Sequence, residues 1–189
     1  LHNLAGLYYS MGAFDKAETL YRRSLVIYEK VLGPEHPNTA TSLGGLASLY
    51  IGMGAFDKAE PLYTRSLAIH ENALGLEHPS TATSVNNLAG LYYSMGSYDK
   101  AEPLLRQSLA IYEKILGPEH PDTVGTLNNL AVFYAAQGRS GESLTLMERA
   151  QESDRRQIEQ ILGFAPEAQQ TQFLATRENK FFAYISLIR

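Results

Sequence analysis

The sequence predicts an all-α protein built as a solenoid of antiparallel helix hairpins, and three observations predict it. A period of 42 residues divides the chain into repeats 1–42, 43–84 and 85–126 and a degenerate copy over 127–162. The first two repeats are identical at 29 of 42 positions. Within each repeat, two stretches carry apolar residues at helical spacing, and glycine or proline stands where they end. Residues 163–189 are then expected to form a C-terminal capping or connector helix.

The first helix of a repeat is indicated by an apolar stripe. In the first repeat, Leu4, Leu7, Tyr8 and Met11 stand at i, i+3, i+4 and i+7, which is the spacing of one face of an amphipathic helix. We expect this face to be buried. Gly12 follows directly and is expected to end the helix in a left-handed conformation.

The second helix of a repeat is indicated by a capping pattern and another stripe. Asp15 stands three residues before Glu18, which predicts an N-cap residue in a capping box. The same pattern recurs at Asp57 with Glu60 and at Asp99 with Glu102. The expected buried positions are Ala17, Leu20, Tyr21, Ser24, Leu25 and Tyr28. Gly33 and Pro34 end this helix, whereas the degenerate repeat lacks such a loop and its second helix is expected to reach Leu162.

The connection between hairpins carries a Glu-His pair in three copies, "GPEHPNT" at 33–39, "GLEHPST" at 75–81 and "GPEHPDT" at 117–123. Pro37 suits the first position of the next helix, where its missing N–H is not needed. A neutral His36 could then accept a hydrogen bond from a first-turn amide. Loops two helices apart lie roughly 16–20 Å from one another, whereas zinc ligands lie about 2 Å from the ion. We therefore expect a turn, with no metal and no cofactor.

Composition narrows the class of protein. With 44% hydrophobic and 19% charged residues, the chain is expected to fold rather than remain disordered. A net charge of −4 argues against a nucleic-acid partner, which requires a basic face. The absence of cysteine excludes disulfides and thiolate chemistry and is compatible with a cytoplasmic location. No apolar run approaches the ~18 residues of a membrane-spanning helix, so no membrane partner is expected.

The residue order L-x-x-L-A-x-L-Y-x-x-x-G-x-[FY]-x-x-A resembles the tetratricopeptide repeat. The 42-residue form, with L-x-N-L-A, AE-x-L-Y-x-R-S-L-A-I and LG-x-EHP-x-T, resembles the repeats of kinesin light chains. It is also similar to bacterial repeat arrays that precede a caspase-like CHAT domain, and the wording of residues 163–189 resembles the connector in those proteins. The resemblance covers residues 1 to about 150 and implies a right-handed superhelix whose concave groove binds a protein or peptide.

The groove is expected to be lined by the face of each first helix opposite its apolar stripe, and that face is neutral. The resemblance implies that an asparagine column holds the backbone of a bound peptide. The candidate partner-binding residues are Asn3, Tyr9, Asn86, Asn87, Tyr93, Asn128 and Asn129. Gly45 breaks the column in the second repeat, and the glycines Gly6, Gly44, Gly45 and Gly90 are expected to let helices approach closely. The two tyrosines are either solvated or contact the partner.

These observations favour an interaction module rather than an enzyme, because no nucleophile, base and oxyanion donors converge. The first hypothesis is that the groove binds a peptide segment of another protein or of the same chain. The alternative is a regulatory or scaffold arm that packs on a downstream caspase-like (CHAT) effector domain of the same protein. A caspase-like histidine and cysteine after residue 189 would favour the alternative.

Overall fold

The computed structural model describes residues 1–162, and this part of the chain consists of eight α-helices without strands. The helices are α1 (His2–Ser10), α2 (Phe14–Val31), α3 (Pro37–Gly52), α4 (Phe56–Leu74), α5 (Pro79–Ser94), α6 (Tyr98–Leu116), α7 (Pro121–Ala136) and α8 (Ser140–Leu162). The chain forms two compact units, Leu1–Ile115 and Leu116–Arg189. Unit 1 therefore holds α1 to α6, and unit 2 holds α7 and α8.

Consecutive helices pair into hairpins, as the period predicts. In unit 1, α1 packs on α2 and α3 packs on α4, while α2 with α3 and α4 with α5 join successive hairpins. The α5–α6 hairpin is tied by the Ser108 hydroxyl, which donates to the Ala82 carbonyl at 3.0 Å. In unit 2, α7 packs on α8, and the Ser143 hydroxyl donates to the Ala131 carbonyl at 2.8 Å. The predicted all-α hairpin architecture is confirmed within each unit.

The core of unit 1 is built on small residues where helices cross. Each of the helices α1 to α6 has at least one fully buried alanine, and those at equivalent positions are Ala5, Ala17, Ala47, Ala59, Ala89 and Ala101. Larger apolar side chains close around them, such as Leu49 and Tyr50 on α3 and Tyr63 on α4. Because alanine adds only a methyl group, the helices can approach closely enough for these larger side chains to interlock.

The prediction of a buried stripe is wrong for α1. Leu4 and Leu7 are 44% and 55% exposed, whereas their counterparts on α3, Leu46 and Leu49, are buried. Met11 is 68% exposed, and its counterpart Met53 is exposed as well, at 41%. The physical reason is the helix that packs beside each stripe. The α2 helix of the preceding hairpin packs against α3 and covers the stripe of α3. The α1 helix packs against α2 and α3, and neither covers the edge of α1 that carries Leu4 and Leu7. On α2, Ala17, Tyr21 and Ser24 are buried as predicted, and Leu20, Leu25 and Tyr28 are only partly buried.

The turn inside each hairpin ends one helix and begins the next. Gly12 has a φ of 73°, its N–H donates to the Tyr9 carbonyl and the Ala13 N–H donates to the Tyr8 carbonyl, both at 2.9 Å. These two bonds form a Schellman motif, so the predicted role of the glycine is confirmed. Ala13 is also the N-cap of α2.

The predicted capping box is therefore wrong. Asp15 lies inside the first turn of α2 and makes no capping bond, because Ala13 already occupies the N-cap position. Its charge still favours the positive end of the helix dipole. Glu18 is used elsewhere, as an acceptor for the Tyr50 hydroxyl.

The loops between hairpins form as the sequence predicts. His36 is the N-cap of α3, and its Nδ1 atom accepts from the Asn38 N–H at 3.1 Å, with Pro37 at the first helical position. Thr39 then donates from Oγ1 to the carbonyl of Gly33, whose φ is 100°. His78 and His120 repeat the cap at 3.1 and 3.2 Å. The Glu-His stretch is thus a turn that joins two helices.

The last described helix, α8, ends at Leu162, the predicted end of the extended second helix. The capping or connector helix expected over 163–189 lies outside the described residues. Among the described helices, none is both long enough and apolar enough to cross a membrane.

Candidate functional site

In unit 1 the candidate residues lie on α1 and α5. Asn3 is exposed, and Tyr9, Asn86, Asn87 and Tyr93 are partly buried. On α5 the interval from Asn86 to Tyr93 is seven residues, which is two turns, so both lie on one helix face. The structure therefore places Asn86 and Tyr93 on one face of α5 and Asn87 about 100° around the helix from Asn86, with α3 between α5 and α1 in chain order.

Aromatic pairs accompany both candidate tyrosines. The Tyr9 and Phe14 rings lie 6.0 Å apart between centroids, and the Tyr93 and Tyr98 rings lie 5.8 Å apart. Phe14 and Tyr98 hold the same position in their repeats, at the start of the second helix. The sequence interpretation did not include these two residues, although their 42-residue periodicity was a visible signal. Each candidate tyrosine thus packs against an aromatic ring of its own hairpin.

The face of α3 between α1 and α5 carries glycines, because rings from the first hairpin occupy the space that larger side chains would need. A Cβ atom at Gly45 would lie 2.6 Å from Cε1 of His2 and 2.7 Å from Cε1 of Tyr21. A Cβ atom at Gly52 would lie 2.7 Å from Cε2 of Tyr9. The break in the asparagine column at Gly45 is therefore a packing requirement. The expectation of close approach holds for Gly45 and is wrong for Gly90, whose added Cβ would meet no heavy atom within 4 Å.

His2 belongs to this packing. Its ring stands edge-on to the Tyr21 ring with centroids 5.1 Å apart, and its Nδ1 atom is buried without a hydrogen-bond partner. Burial lowers the pKa of His2, which favours the neutral ring. His2 therefore acts here as an aromatic side chain that covers Gly45.

A polar clasp joins neighbouring hairpins near the turn between their helices. The Tyr50 hydroxyl donates to Oε1 of Glu18 at 2.8 Å and accepts from Nη2 of Arg22 at 2.8 Å. The Tyr50 bond lowers the pKa of the Glu18 carboxyl, and burial raises the pKa of Tyr50. At the next hairpin the Tyr92 hydroxyl donates to Glu60 at 2.9 Å. These tyrosines hold the position of Tyr8 in the apolar stripe of their repeats, and the stripe did not indicate the bonds of their hydroxyl groups.

Lysine side chains lie over tyrosine rings near the clasp. Lysine ammonium groups lie 5.0–5.5 Å from tyrosine ring centroids, Lys16 over Tyr8, Lys58 over Tyr50 and Lys100 over Tyr92. Each of these lysines follows an aspartate in the sequence, namely Asp15, Asp57 and Asp99. The candidate residues themselves carry no charge, so unit 1 offers a ligand a neutral surface.

In unit 2 the candidates Asn128 and Asn129 are exposed on α7. The position that holds Tyr93 in the third repeat is Ala135 here, so this helix offers amides without an aromatic side chain beside them. A separate open cavity of about 360 Å³ is lined by Pro118, Leu127, Thr145, Glu148, Arg149, Glu152, Ser153 and Arg156. Its Glu152 and Arg156 form an ion pair at 2.9 Å on α8, so part of its charge is already compensated.

The histidine loops offer little to a metal. The Nδ1 atoms of His36, His78 and His120 accept capping bonds from their own helices. Across residues 1–162, no three His, Cys, Asp or Glu side chains are grouped so that they could hold an ion.

Comparisons with known proteins agree with this architecture. The family model described as "Tetratricopeptide repeat" matches residues 1–72, 45–114 and 80–156. No curated protein matches the chain. Two crystal structures of Podosopora anserina kinesin light chain "nearly identical TPR-like repeats", one of them of a substituted form, match with a TM-score of 0.71 and 29% identity. They cover 98% and 97% of this chain and 94% of their own.

A third solved structure, BtubC (BKLC) from P. vanneervenii, matches with a TM-score of 0.72 and 24% identity over 97% of this chain and 78% of its own. At this identity the match shows the fold alone. The predicted resemblance to 42-residue repeats of the kinesin light chain type is confirmed by the family match and the Podosopora anserina structures.

Proposed function

The chain belongs to the tetratricopeptide repeat family, and on that premise we propose that it binds a peptide segment of a partner protein along the first helices of its hairpins. The tetratricopeptide fold is a general scaffold for protein–protein interaction, and proteins of this type are typically not enzymes. One observation carries the proposal: α5 presents partly exposed amides at Asn86 and Asn87 and a partly exposed ring at Tyr93, with Asn86 two turns before Tyr93 on the same side of the helix.

The chemistry of these side chains suits an extended peptide. A carboxamide can donate to a backbone carbonyl and accept from a backbone N–H at the same residue. Asn86 and Tyr93 are seven residues apart on the same side of α5, which is about 10 Å along the helix axis, and Asn87 lies on the adjoining face. That distance equals roughly three residues of extended chain. We therefore expect a ligand whose backbone meets the Asn86 and Asn87 amides and whose apolar or aromatic side chain, about three residues away, packs on Tyr93.

The other candidates lie on the first helices of their own hairpins. On α1, Asn3 and Tyr9 have the same six-residue interval, although Tyr9 also packs over Gly52. On α7, Asn128 and Asn129 offer amides alone. We assign the main contact to α5, because Asn86, Asn87 and Tyr93 combine amides with an aromatic ring that Tyr98 supports.

The test begins with selection of binding peptides from a random display library, followed by calorimetric titration of the selected peptide. Asn87→Ala together with Asn129→Ala removes two amides, each contributing about 0.5–1.5 kcal/mol. Binding should weaken by about tenfold to a hundredfold. Tyr93→Ala should weaken it further, since aromatic residues commonly anchor peptide ligands. The matched control is Asn38→Ala, which changes an exposed asparagine at the start of α3.

Two measurements test the proposal, namely the salt dependence of the affinity and the affinity of the control variant. Because the surface is neutral, affinity should change only modestly between low and high ionic strength. Unchanged affinity in a folded Asn87→Ala, Asn129→Ala, Tyr93→Ala protein would contradict the proposed surface. Equal loss in the Asn38→Ala control would do the same, because it would place the ligand elsewhere on the array.

A further inference from the structure

The second repeat holds a buried histidine at a three-helix joint. His70 on α4 is 4% exposed. Its Nδ1 atom lies 2.7 Å from Oγ of Ser84 on α5, and its Nε2 atom lies 3.2 Å from the carbonyl oxygen of Pro37 at the start of α3. One ring thus bonds to its own hairpin and to the following hairpin, all within unit 1.

The partners of His70 define its protonation state. The Pro37 carbonyl can only accept, so Nε2 carries the proton, and Nδ1 of the neutral ring accepts from the Ser84 hydroxyl. A second proton on the ring would reverse the bond to Ser84 and place a charge in a buried site. Neither of the groups that hold the ring is a carboxylate, so neither could stabilise that charge as an ion pair.

The titratable groups at the joint add no compensation. The α5 helix begins after His78, whose positive form would repel a charged His70. The α3 helix begins after His36, which precedes the Pro37 partner, and Glu71 follows His70 on α4 itself. Burial lowers the pKa of His70, with the Pro37 bond acting in the opposite direction and His78 lowering it further.

We propose that His70 is a pH-sensitive joint, and that acidification below neutrality loosens the contact between the α3–α4 and α5–α6 hairpins. Because the folded ring resists protonation, the unfolded chain binds this proton first as the pH falls. The contribution of His70 to stability is therefore present above pH about 6.5 and is lost as the pH falls below that value. The inference does not depend on the proposed peptide-binding function.

The other repeats supply a matched control. Tyr112 holds the same position in the third repeat, is 4% exposed, and its hydroxyl lies 2.6 Å from Oγ1 of Thr83 in its own hairpin. Thr41, on α3 of the hairpin that contains His70, is the counterpart of Thr83. A tyrosine at position 70 therefore has a partner of the same kind available, but it has no group that titrates near neutrality.

The experiment compares the full chain with His70→Tyr by urea unfolding and hydrogen exchange at pH 7.5 and 5.5. The unfolding equilibrium constant of the parent should rise about tenfold more on acidification than that of the variant, if the folded ring stays neutral at pH 5.5. The extra exchange should be concentrated in α4, the start of α3 and α5. The histidine caps at positions 36, 78 and 120 are present in both proteins, so the two proteins differ only at position 70.

Two results would contradict the proposal that His70 is a pH-sensitive joint. One is the same pH dependence in parent and variant, and the other is an increase in exchange spread evenly over the helices. If His70→Tyr does not fold, nuclear magnetic resonance titration of the parent's imidazoles decides the question. His70 should keep the neutral form with the proton on Nε2 at pH values where a solvated histidine is half protonated. Protonation of His70 at an ordinary value, without loss of the Ser84 contact, would contradict the proposal.

Discussion

Two junctions inside unit 1 are built from nearly the same sequence and are held together differently. The first junction joins α1–α2 to α3–α4, and the second joins α3–α4 to α5–α6. At the first, the Tyr50 hydroxyl has both Glu18 and Arg22 as partners. At the second, Tyr92 bonds to Glu60, and Thr64 stands where the first repeat has Arg22. The repeated sequence therefore places a tyrosine hydroxyl against a glutamate at both junctions, but only the first of these hydroxyl groups also has an arginine partner.

The junctions also differ on the surfaces to either side of the clasp. On the proposed binding face, the first junction is covered by His2 and Tyr9 lying over α3 glycines, whereas α5 carries Asn87 and Tyr93. On the other side, the second junction contains His70 with Ser84, while the first leaves Oγ of the equivalent Ser42 buried without a partner.

Within the first helix, the positions that differ between the first two repeats lie on the face opposite the apolar stripe. All five outward positions of the first helix change, His2, Asn3, Gly6, Tyr9 and Ser10 becoming Gly44, Gly45, Ser48, Ile51 and Gly52. The four positions of the apolar stripe are the same in both repeats, Leu4, Leu7, Tyr8 and Met11 corresponding to Leu46, Leu49, Tyr50 and Met53. The constant positions build the hairpin, and the variable ones set how hairpins meet and what surface they offer.

The largest expected effect comes from breaking what both junctions share. Ala59 on α4 is fully buried, and Ala59→Arg would overpack the helix crossing and bury a charge. We expect a loss of about 3 kcal/mol or more, with loss of cooperative unfolding. The control is Ala68→Arg on the exposed face of the same helix, which should change stability by less than about 0.5 kcal/mol. Similar urea midpoints for both variants would mean that Ala59 is not at a helix crossing.

Local patterns predicted the parts of the fold that local physics determines. Gly12 adopts a positive φ, Pro37 begins a helix and His36 caps it, because each depends only on a few neighbouring residues. Asp15 and Glu18 show where this reasoning fails. The spacing fits a capping box, but Ala13 already caps the helix, and Tyr50, 32 residues away in sequence, takes the carboxylate.

Burial and the candidate surface were predictable only in part. Helical periodicity located Asn86 and Tyr93 on one face, since periodicity fixes directions around a single helix. It could not show that His2 and Tyr21 fill the space above Gly45, because that depends on the distance between two helices. The exposure of Leu4 likewise depends on which helix packs beside α1, and no pattern within one repeat contains that information.

A substitution made at both junctions sharpens the contrast on the binding face. Gly45→Ala would place a Cβ against His2 and the buried Tyr21 ring, and the overpacking should outweigh the gain in helix propensity, for a net loss of about 1–2 kcal/mol. Gly90→Ala adds the same methyl group to α5 where no heavy atom lies within 4 Å, so it should stabilise by up to about 1 kcal/mol. Changes of the same sign in thermal unfolding would refute the packing explanation.

The smallest effects should separate the two clasps. Removing the hydroxyl by Tyr50→Phe leaves Glu18 and Arg22 without their shared partner, and we expect a loss of about 1 kcal/mol. Tyr92→Phe removes one bond from a more exposed site and should cost about 0.5 kcal/mol.

Tyr8 completes the series as the control, because within unit 1 its ring meets Lys16 and its hydroxyl has no clasp carboxylate. Tyr8→Phe should therefore leave stability unchanged within about 0.3 kcal/mol. Urea unfolding of the three variants under identical conditions gives the order directly. The expected order is Tyr50→Phe, then Tyr92→Phe, then Tyr8→Phe. Equal losses at positions 50 and 92 would mean that Arg22 adds nothing to the first clasp, and the two junctions would then differ only on their surfaces.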